Sequence, residues 1–278
     1  MGIIRKRVFI TVKTYPNPSA SYVETVCTAG IVENEGWIRL YPVPYRVSSG
    51  LADKQFKKYQ WIDVDVVKRP PSSSDKRPES YSPQEGSMKL GKIIPPTSSE
   101  ARKDIIFRNT RKFRDFDTVF SLAKDFKISL ATFEPSEIVK FYAVPCEERD
   151  WTEKEQAKLD KEIKQKDFFI EDSFKRSNLQ KVPYEFRFTL KDSKGKLSDM
   201  MIEDWEVGAC YWNMLERSHT EKEAVEKVIA CYNKICTEQD CIFFMGTTNQ
   251  FHNRKAPNPF VIIGLFHTPK TSQVLLNF

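Results

Sequence analysis

The segment Gln60–Lys68, QWIDVDVVK, alternates strictly: Ile62, Val64 and Val66 fall on one side, and Trp61, Asp63, Asp65 and Val67 on the other. Only an extended chain with one buried face satisfies that period. Three earlier runs read the same way. Residues 4–14 place Val8, Ile10 and Val12 on one face, and Arg7, Phe9, Thr11 and Lys13 on the other. Tyr22 to Val32 is β-branched and small, and Trp37 to Val43 returns after Glu33-Asn34-Glu35-Gly36, where glycine supplies the positive φ of a hairpin. Four strands with short links in under 70 residues predict a small antiparallel sheet or partly closed barrel.

The rest of the chain reads differently. Arg69 to Thr97 carries six prolines among many serines and predicts a long loop. A short helical piece is expected from Ala52 to Tyr59, helices at 101–112 and 115–125, and a charged helix from Thr152. Strands are expected at 128–133 and 137–144, with a hairpin at 184–202. Helices at 203–217 and 220–237 and strands at 240–247 and 259–267 complete the order. The expected architecture is α+β. An N-terminal antiparallel sheet or partly closed barrel, residues 1–97, is followed by helices and a C-terminal mixed α/β part, residues 98–278, packed with it as one unit.

Composition bounds function. With 40% apolar residues among 278, a substantial core is available. The longest apolar run, Phe260 to Phe266, is far short of the roughly 20 residues of a membrane helix. The opening MGIIRKRVFI lacks a secretory apolar region, so a cytoplasmic location without membrane contact is expected. Six cysteines without a Cys-x-x-Cys read as reduced thiols, and three histidines give little scope for zinc. The net charge of +6 is uneven: residues 1–97 hold 15 Lys and Arg against 9 Asp and Glu, while the remainder balances at 29 of each. Glycine spacing fits no dinucleotide fingerprint, P-loop or nucleophile elbow.

Against that charge, Lys13-Thr14-Tyr15-Pro16 and Arg39-Leu40-Tyr41-Pro42 stand out. Residues two apart share a strand face, so Lys13 joins Tyr15 and Arg39 joins Tyr41. With Arg46, these cations would hold phosphates while the rings stack on bases, each stack contributing roughly 1–3 kcal/mol. The same residues also read as tyrosines packed at a sheet end beside solvated cations. Arg77-Pro78-Glu79-Ser80 offers a guanidinium fork for phosphate with Glu79 as a base, or a local ion pair pinning the loop. Asp204 and Glu206 are candidate Mg²⁺ ligands, or acids favoured by the first turn of a helix. Thr247, Asn249 and His252 follow a hydrophobic strand. They suit recognition of a base or sugar, with His252 as a general acid or base, or merely form a turn.

The segments KTYP, ETVCTAG, GWIRLYPVPYR, RPESY, MIEDWE and GTT…NPFVIIG, spread over most of the chain, resemble a family of prokaryotic proteins of uncharacterised function. The resemblance implies one architectural unit and brings no catalytic assignment. The expected function is nucleic-acid binding, with DNA or RNA as partner, in a prokaryotic defence or nucleic-acid-processing system. Two alternatives stand beside it: a metal-dependent nuclease or phosphodiesterase using Glu79, His252, Asp204, Glu206 and Mg²⁺, and a protein-interaction subunit without nucleic-acid contact.

Overall fold

The computed structural model describes residues 2–15, 25–44, 56–70, 72–84, 86–153, 155–157 and 180–270. Arg46, most of the expected 52–59 helix and most of the charged helix after Thr152 lie outside these residues.

The strands β1 (Ile4–Lys13), β2 (Thr25–Val32), β3 (Gly36–Pro44), β4 (Gln60–Lys68) and β5 (Ser80–Pro83) close into a five-stranded barrel in the order β1-β2-β3-β5-β4, with β4 returning to β1. Gly36, at φ +90°, makes the β2–β3 turn. Inside the barrel lie Val8, Ile10, Ile38, Leu40, Phe56, Ile62, Val64 and Val66, all at most 2% exposed. Each such side chain contributes about 2 kcal/mol on burial.

The strand that closes the barrel comes from the expected loop. Arg39 and Leu40 pair in parallel with Ser80 and Tyr81, and Val66 to Lys68 pair antiparallel with Pro83 to Tyr81. A second short strand from that loop, β6 (Lys89–Ile93), pairs with the first half of β4. Neither alternates in hydrophobicity, and β6 is exposed along its whole length, so the sequence carries no period-2 signal there.

The expected faces of β1 also change midway. A bulge between Ile10 and Val12 shifts the register with β2. Val12 thereby leaves Val8 and Ile10 and joins Phe9 on the outer face, packed with Ala29 and Ile31. Lys13 turns toward Phe56 at the barrel's end.

That outer face rests on the four-stranded sheet formed by β13 (Phe260–Pro269), β12 (Gln239–Thr247), β8 (Leu130–Phe133) and β7 (Lys112–Phe113), in that order. Ile242, Phe244, Val261, Ile263 and Phe266 meet the barrel, joined by Ile106 of α1 (Ser99–Asn109). Phe243, Met245, Phe260, Ile262 and Leu265 point the other way. Burial on both faces explains the continuous apolar runs IFFM and FVIIGLF.

The far layer contains α2 (Phe116–Lys124), α3 (Trp205–Glu216), α4 (Glu221–Glu238) and an antiparallel sheet of β9 (Glu137–Pro145), β10 (Tyr184–Lys191) and β11 (Leu197–Met201). On α4 the buried stripe is Ala224, Val225, Val228 and Tyr232. A short helix, α5 (Asn249–Asn253), interrupts the β12–β13 connection. No helix among the described residues is long and apolar enough to cross a membrane.

Candidate nucleic-acid interface

Lys13 and Tyr15 share no solvent-facing surface. Lys13 donates to the carbonyl of Phe56 at 3.1 Å and lies over its ring. Burial, helped by the charge of Lys58, pulls its ammonium down to about 8. Tyr15 leaves the barrel for α3. Its ring stacks on Trp205, with centroids 5.7 Å apart, its hydroxyl accepts from Trp212 Nε1 at 2.9 Å and donates to the carbonyl of Gln180 at 2.8 Å. Gly208 makes room: a Cβ there would lie 2.4 Å from the ring. This tyrosine fastens the barrel to the helical layer.

Arg39 is 2% exposed. Alternation across β3, with Trp37 and Arg39 opposite Ile31 and Ala29, turns it to the outer face and under the four-stranded sheet. Its Nη2 donates to the Ser129 carbonyl at 3.1 Å. Glu79 approaches the same serine: its carboxylate accepts from the Ser129 amide at 2.9 and 3.0 Å and from Oγ at 2.5 Å. Burial pushes the Glu79 carboxyl up, against the pull of Ser129 and Arg39. Three hydrogen bonds engage the oxygens that a general base would need, so the geometry gives Glu79 the work of joining β5 to β8.

Arg77 is held in a fork. Nε and Nη2 donate to the two oxygens of Asp75 at 2.7 and 2.9 Å, and Nη1 donates to the carbonyl of Thr247 at 3.0 Å. Burial alone would raise Asp75, but the Arg77 hydrogen bonds and charge outweigh it and hold the carboxyl down to about 2. The Thr247 amide donates to the Ser129 carbonyl at 2.9 Å, so the Arg39 and Arg77 clusters meet at one strand end.

His252 lies beside them, 1% exposed and edge-on to Phe126 at 5.0 Å. Neither ring nitrogen, nor the buried Thr247 hydroxyl, has a hydrogen-bond partner among the described residues. Burial, with Arg77 and Arg39 nearby, lowers the imidazole to about 4, which keeps it neutral near pH 7. The hydroxyl of Thr248 caps α5 at the Phe251 amide, and Asn253 donates to the Ser74 carbonyl at 2.8 Å and to Asn249 Oδ1 at 3.3 Å. Much of the polar density after β12 therefore ends a strand and docks the 72–80 segment.

Asp204 and Glu206 stand apart from this cluster. Asp204, 1% exposed, is the N-cap of α3 and accepts from Lys58 Nζ at 3.2 Å, while Glu206 accepts from the same ammonium at 2.7 Å. Burial works against the Lys58 charge, but the two carboxylates outweigh it and hold its pKa well above the ordinary value. Burial pushes Asp204 up. These carboxylates thus have a built-in cation, and no three His, Cys, Asp or Glu come together in a metal-binding arrangement among the described residues.

A cation-and-ring strip lies at the barrel's closing seam, with Lys68 exposed and Tyr41, Arg69 and Tyr81 half-buried. The Arg69 guanidinium lies 5.3 Å from the centre of the Tyr41 ring and donates to the Tyr41 carbonyl at 3.0 Å. Lys68 Nζ lies 5.3 Å from the centre of Tyr81. The Arg69 amide donates to the Ser80 carbonyl, which ties this pair to the 72–80 segment. Along that segment and α5 follow exposed Lys76, Arg254 and Lys255, together with Phe251 at 44% exposure. Lys68, Lys76, Arg254 and Lys255 make no ion pair among the described residues. The structure therefore brings together Arg39, Arg77, Glu79, Thr247, Asn249 and His252, with Tyr41 at the margin, and separates Lys13, Tyr15, Asp204 and Glu206 from them. Lys76, Arg254 and Lys255 of this strip are not among the residues that the sequence singles out as a site, and neither are Lys68, Arg69 and Tyr81. Their signal was the Lys-Arg pair ending the best-defined strand and a tyrosine two positions beyond Glu79.

No curated protein matches the chain. Among solved structures it is similar to a murine DNA-binding protein solved with double-stranded DNA, at 9% identity over 98% of this chain and 100% of that one. The TM-score of 0.30 is too low for this likeness to bear on fold or function. Family models cover both parts: a domain of unknown function (DUF8758) matches residues 4–108, and another (DUF8757) matches residues 113–277. The barrel and all but the last residue of α1 thus fall in the first match, and the sheets and helices behind them, from Phe113 on, in the second. Through the longer match, which spans more than half of its length, the chain belongs to the DUF8757 family.

Proposed function

We propose that this protein binds nucleic acid through the barrel's closing seam and the adjoining β12–β13 connection. The observation that carries the reading is the strip Tyr41/Arg69, Tyr81/Lys68, Lys76, Arg254 and Lys255. Two rings there each carry a cation, and four exposed cations lack an acidic partner among the described residues. A phosphate backbone supplies the missing negative charge, and ring faces accept bases of any sequence. The buried polar cluster beneath supports the strip: Arg77 and Asn253 hold the 72–80 segment to the strand end, so its backbone is ordered before binding.

The strip divides the work among the residues that the sequence singles out. Arg39, Arg77, Glu79 and Thr247 support the surface, while Tyr41 and Asn249 lie within or beside it. The test is retention of labelled single- and double-stranded DNA and RNA by the parent protein and by the triple variant Lys68→Gln, Lys76→Gln, Arg254→Gln. These side chains are exposed and make no ion pair with the described residues, so the fold should survive. Loss of retention with unchanged unfolding supports the proposal, and retention equal to that of the parent refutes it.

A further inference from the structure

A cavity of about 580 Å³ lies on the other side of the Tyr15 anchor, between the end of β1, the ends of β9 and β10, and the start of α3. Its size falls within the range of small-ligand sites. Four aromatic residues, Tyr15, Trp151, Tyr184 and Phe186, contribute to its lining, and Glu147, Glu148 and Glu203 are spread among them. The acids differ in how far they are neutralised. Asp204 accepts from Lys58, and Glu185 accepts from Arg187 at 2.8 Å. Glu147 and Glu148 are exposed and make no ion pair among the described residues.

Glu203 is the informative one. Its backbone is fixed on both sides: its amide donates to the Ile262 carbonyl at 2.8 Å, and its carbonyl accepts from the Tyr15 amide at 2.9 Å. With Ile202 buried against the core before it and Asp204 capping α3 after it, the position of Glu203 is set by rigid neighbours. Glu203 lines the cavity, is partly withdrawn from water, and its side chain makes no hydrogen bond or ion pair with another described residue; burial and the charge of Glu185 push its carboxyl up, against the pull of Arg39. A withdrawn carboxylate without donors costs stability unless something supplies them. The rings at this site draw cations: the Arg149 guanidinium lies 5.5 Å from the centre of the Tyr184 ring. Lys181 already places its ammonium 5.8 Å from the centre of the Trp151 ring, at the cavity's edge.

We infer that this cavity is a binding site for a small organic cation, an ammonium or guanidinium group on an aliphatic stem. Glu203 accepts its N–H donors, the aromatic residues contact the aliphatic stem, and Glu147 and Glu148 attract it from the rim. The site is separate from the strip assigned to nucleic acid and prefers the opposite charge, so either can fail without the other.

The experiment is calorimetric titration of the full chain with n-butylguanidinium and with n-butylurea, its uncharged isostere. Saturable binding of the guanidinium alone is expected, weakened about tenfold or more by Glu203→Gln, since hydrogen bonds to a charged group are among the stronger ones. The rim variant Glu147→Gln, Glu148→Gln should weaken it less than about threefold, because exposed charges are screened. Equal binding of butylurea, no saturation below about 10 mM, or a larger loss from the rim variant than from Glu203→Gln would each overturn the assignment. The guanidinium–urea comparison on the parent protein decides even if Glu203→Gln does not fold.

Discussion

Replacing Gly208 by alanine tests whether Tyr15 is an anchor or a free ring. The added Cβ would lie 2.4 Å from Cδ2 and 2.5 Å from Cε2 of Tyr15. Ordinary carbon contacts are about 3.5–4.0 Å, so ring or helix must retreat by about 1 Å. The ring has little freedom to do so, being stacked on Trp205 with its hydroxyl bonded to Trp212 and Gln180. Overpacking of this kind costs about 1–3 kcal/mol, while alanine in a helix interior returns about 1 kcal/mol relative to glycine. A net destabilisation of up to about 2 kcal/mol follows, or a fall of about 2–4 °C in melting temperature per kcal/mol. The decisive control is a Tyr15→Ala background. With the ring removed, Gly208→Ala should stabilise by about 1 kcal/mol, so the cycle changes sign. Urea titration of the four proteins measures it. If Gly208→Ala stabilises the parent as well, Tyr15 does not occupy this site, and its use as a base-stacking ring returns.

Three further outcomes follow from the buried charges. Lys58→Met leaves Asp204 buried beside Glu206 without their cation and should cost about 3–5 kcal/mol in urea unfolding at pH 7. His252 titrates at about 4 in the folded state, below its ordinary value of 6.5, so its contribution is complete above the unfolded pKa and is lost as pH falls from 6.5 through 4. His252→Leu should flatten that part of the stability–pH curve, where about 3 kcal/mol is at stake. Asp75, held down to about 2 by Arg77, supplies stability that is full above about pH 4 and lost between pH 4 and 2. Asp75→Asn should remove about 2 kcal/mol of that acid limb, read by circular dichroism across the range.

The strands of the barrel could be read wherever one face was apolar: QWIDVDVVK defined both the extent and the faces of β4. Its closure could not. Ser80-Tyr81-Ser82-Pro83 has no alternation, and only pairing with β3 and β4 makes it a strand. The β1 bulge was hidden for a related reason. Alternation continues through Val8, Ile10 and Val12 in sequence, while the extra residue in the ladder reverses the face after Ile10. That reversal sent Lys13 into the barrel end.

At the site, the sequence picked out residues rich in hydrogen-bonding chemistry but could not tell a surface from its supports. Arg39 looked like a phosphate contact because cations are usually solvated, yet Ser129 accepts from it inside the structure, and the Glu79 carboxylate holds the same serine. Ser129 itself carries no local pattern. The acids near α3 were legible as first-turn residues, but Lys58, which neutralises them, lies 146 positions from Asp204.

The most direct measurement of the central claim is the salt dependence of duplex binding. With logarithmic axes, affinity should fall linearly with salt concentration, and each phosphate that the protein no longer neutralises makes the slope shallower by about 0.9. The Lys68→Gln, Lys76→Gln, Arg254→Gln variant should therefore show a slope shallower by about 2–3 than that of the parent. An unchanged slope, with affinity intact, would contradict the assignment of the closing seam as the nucleic-acid surface.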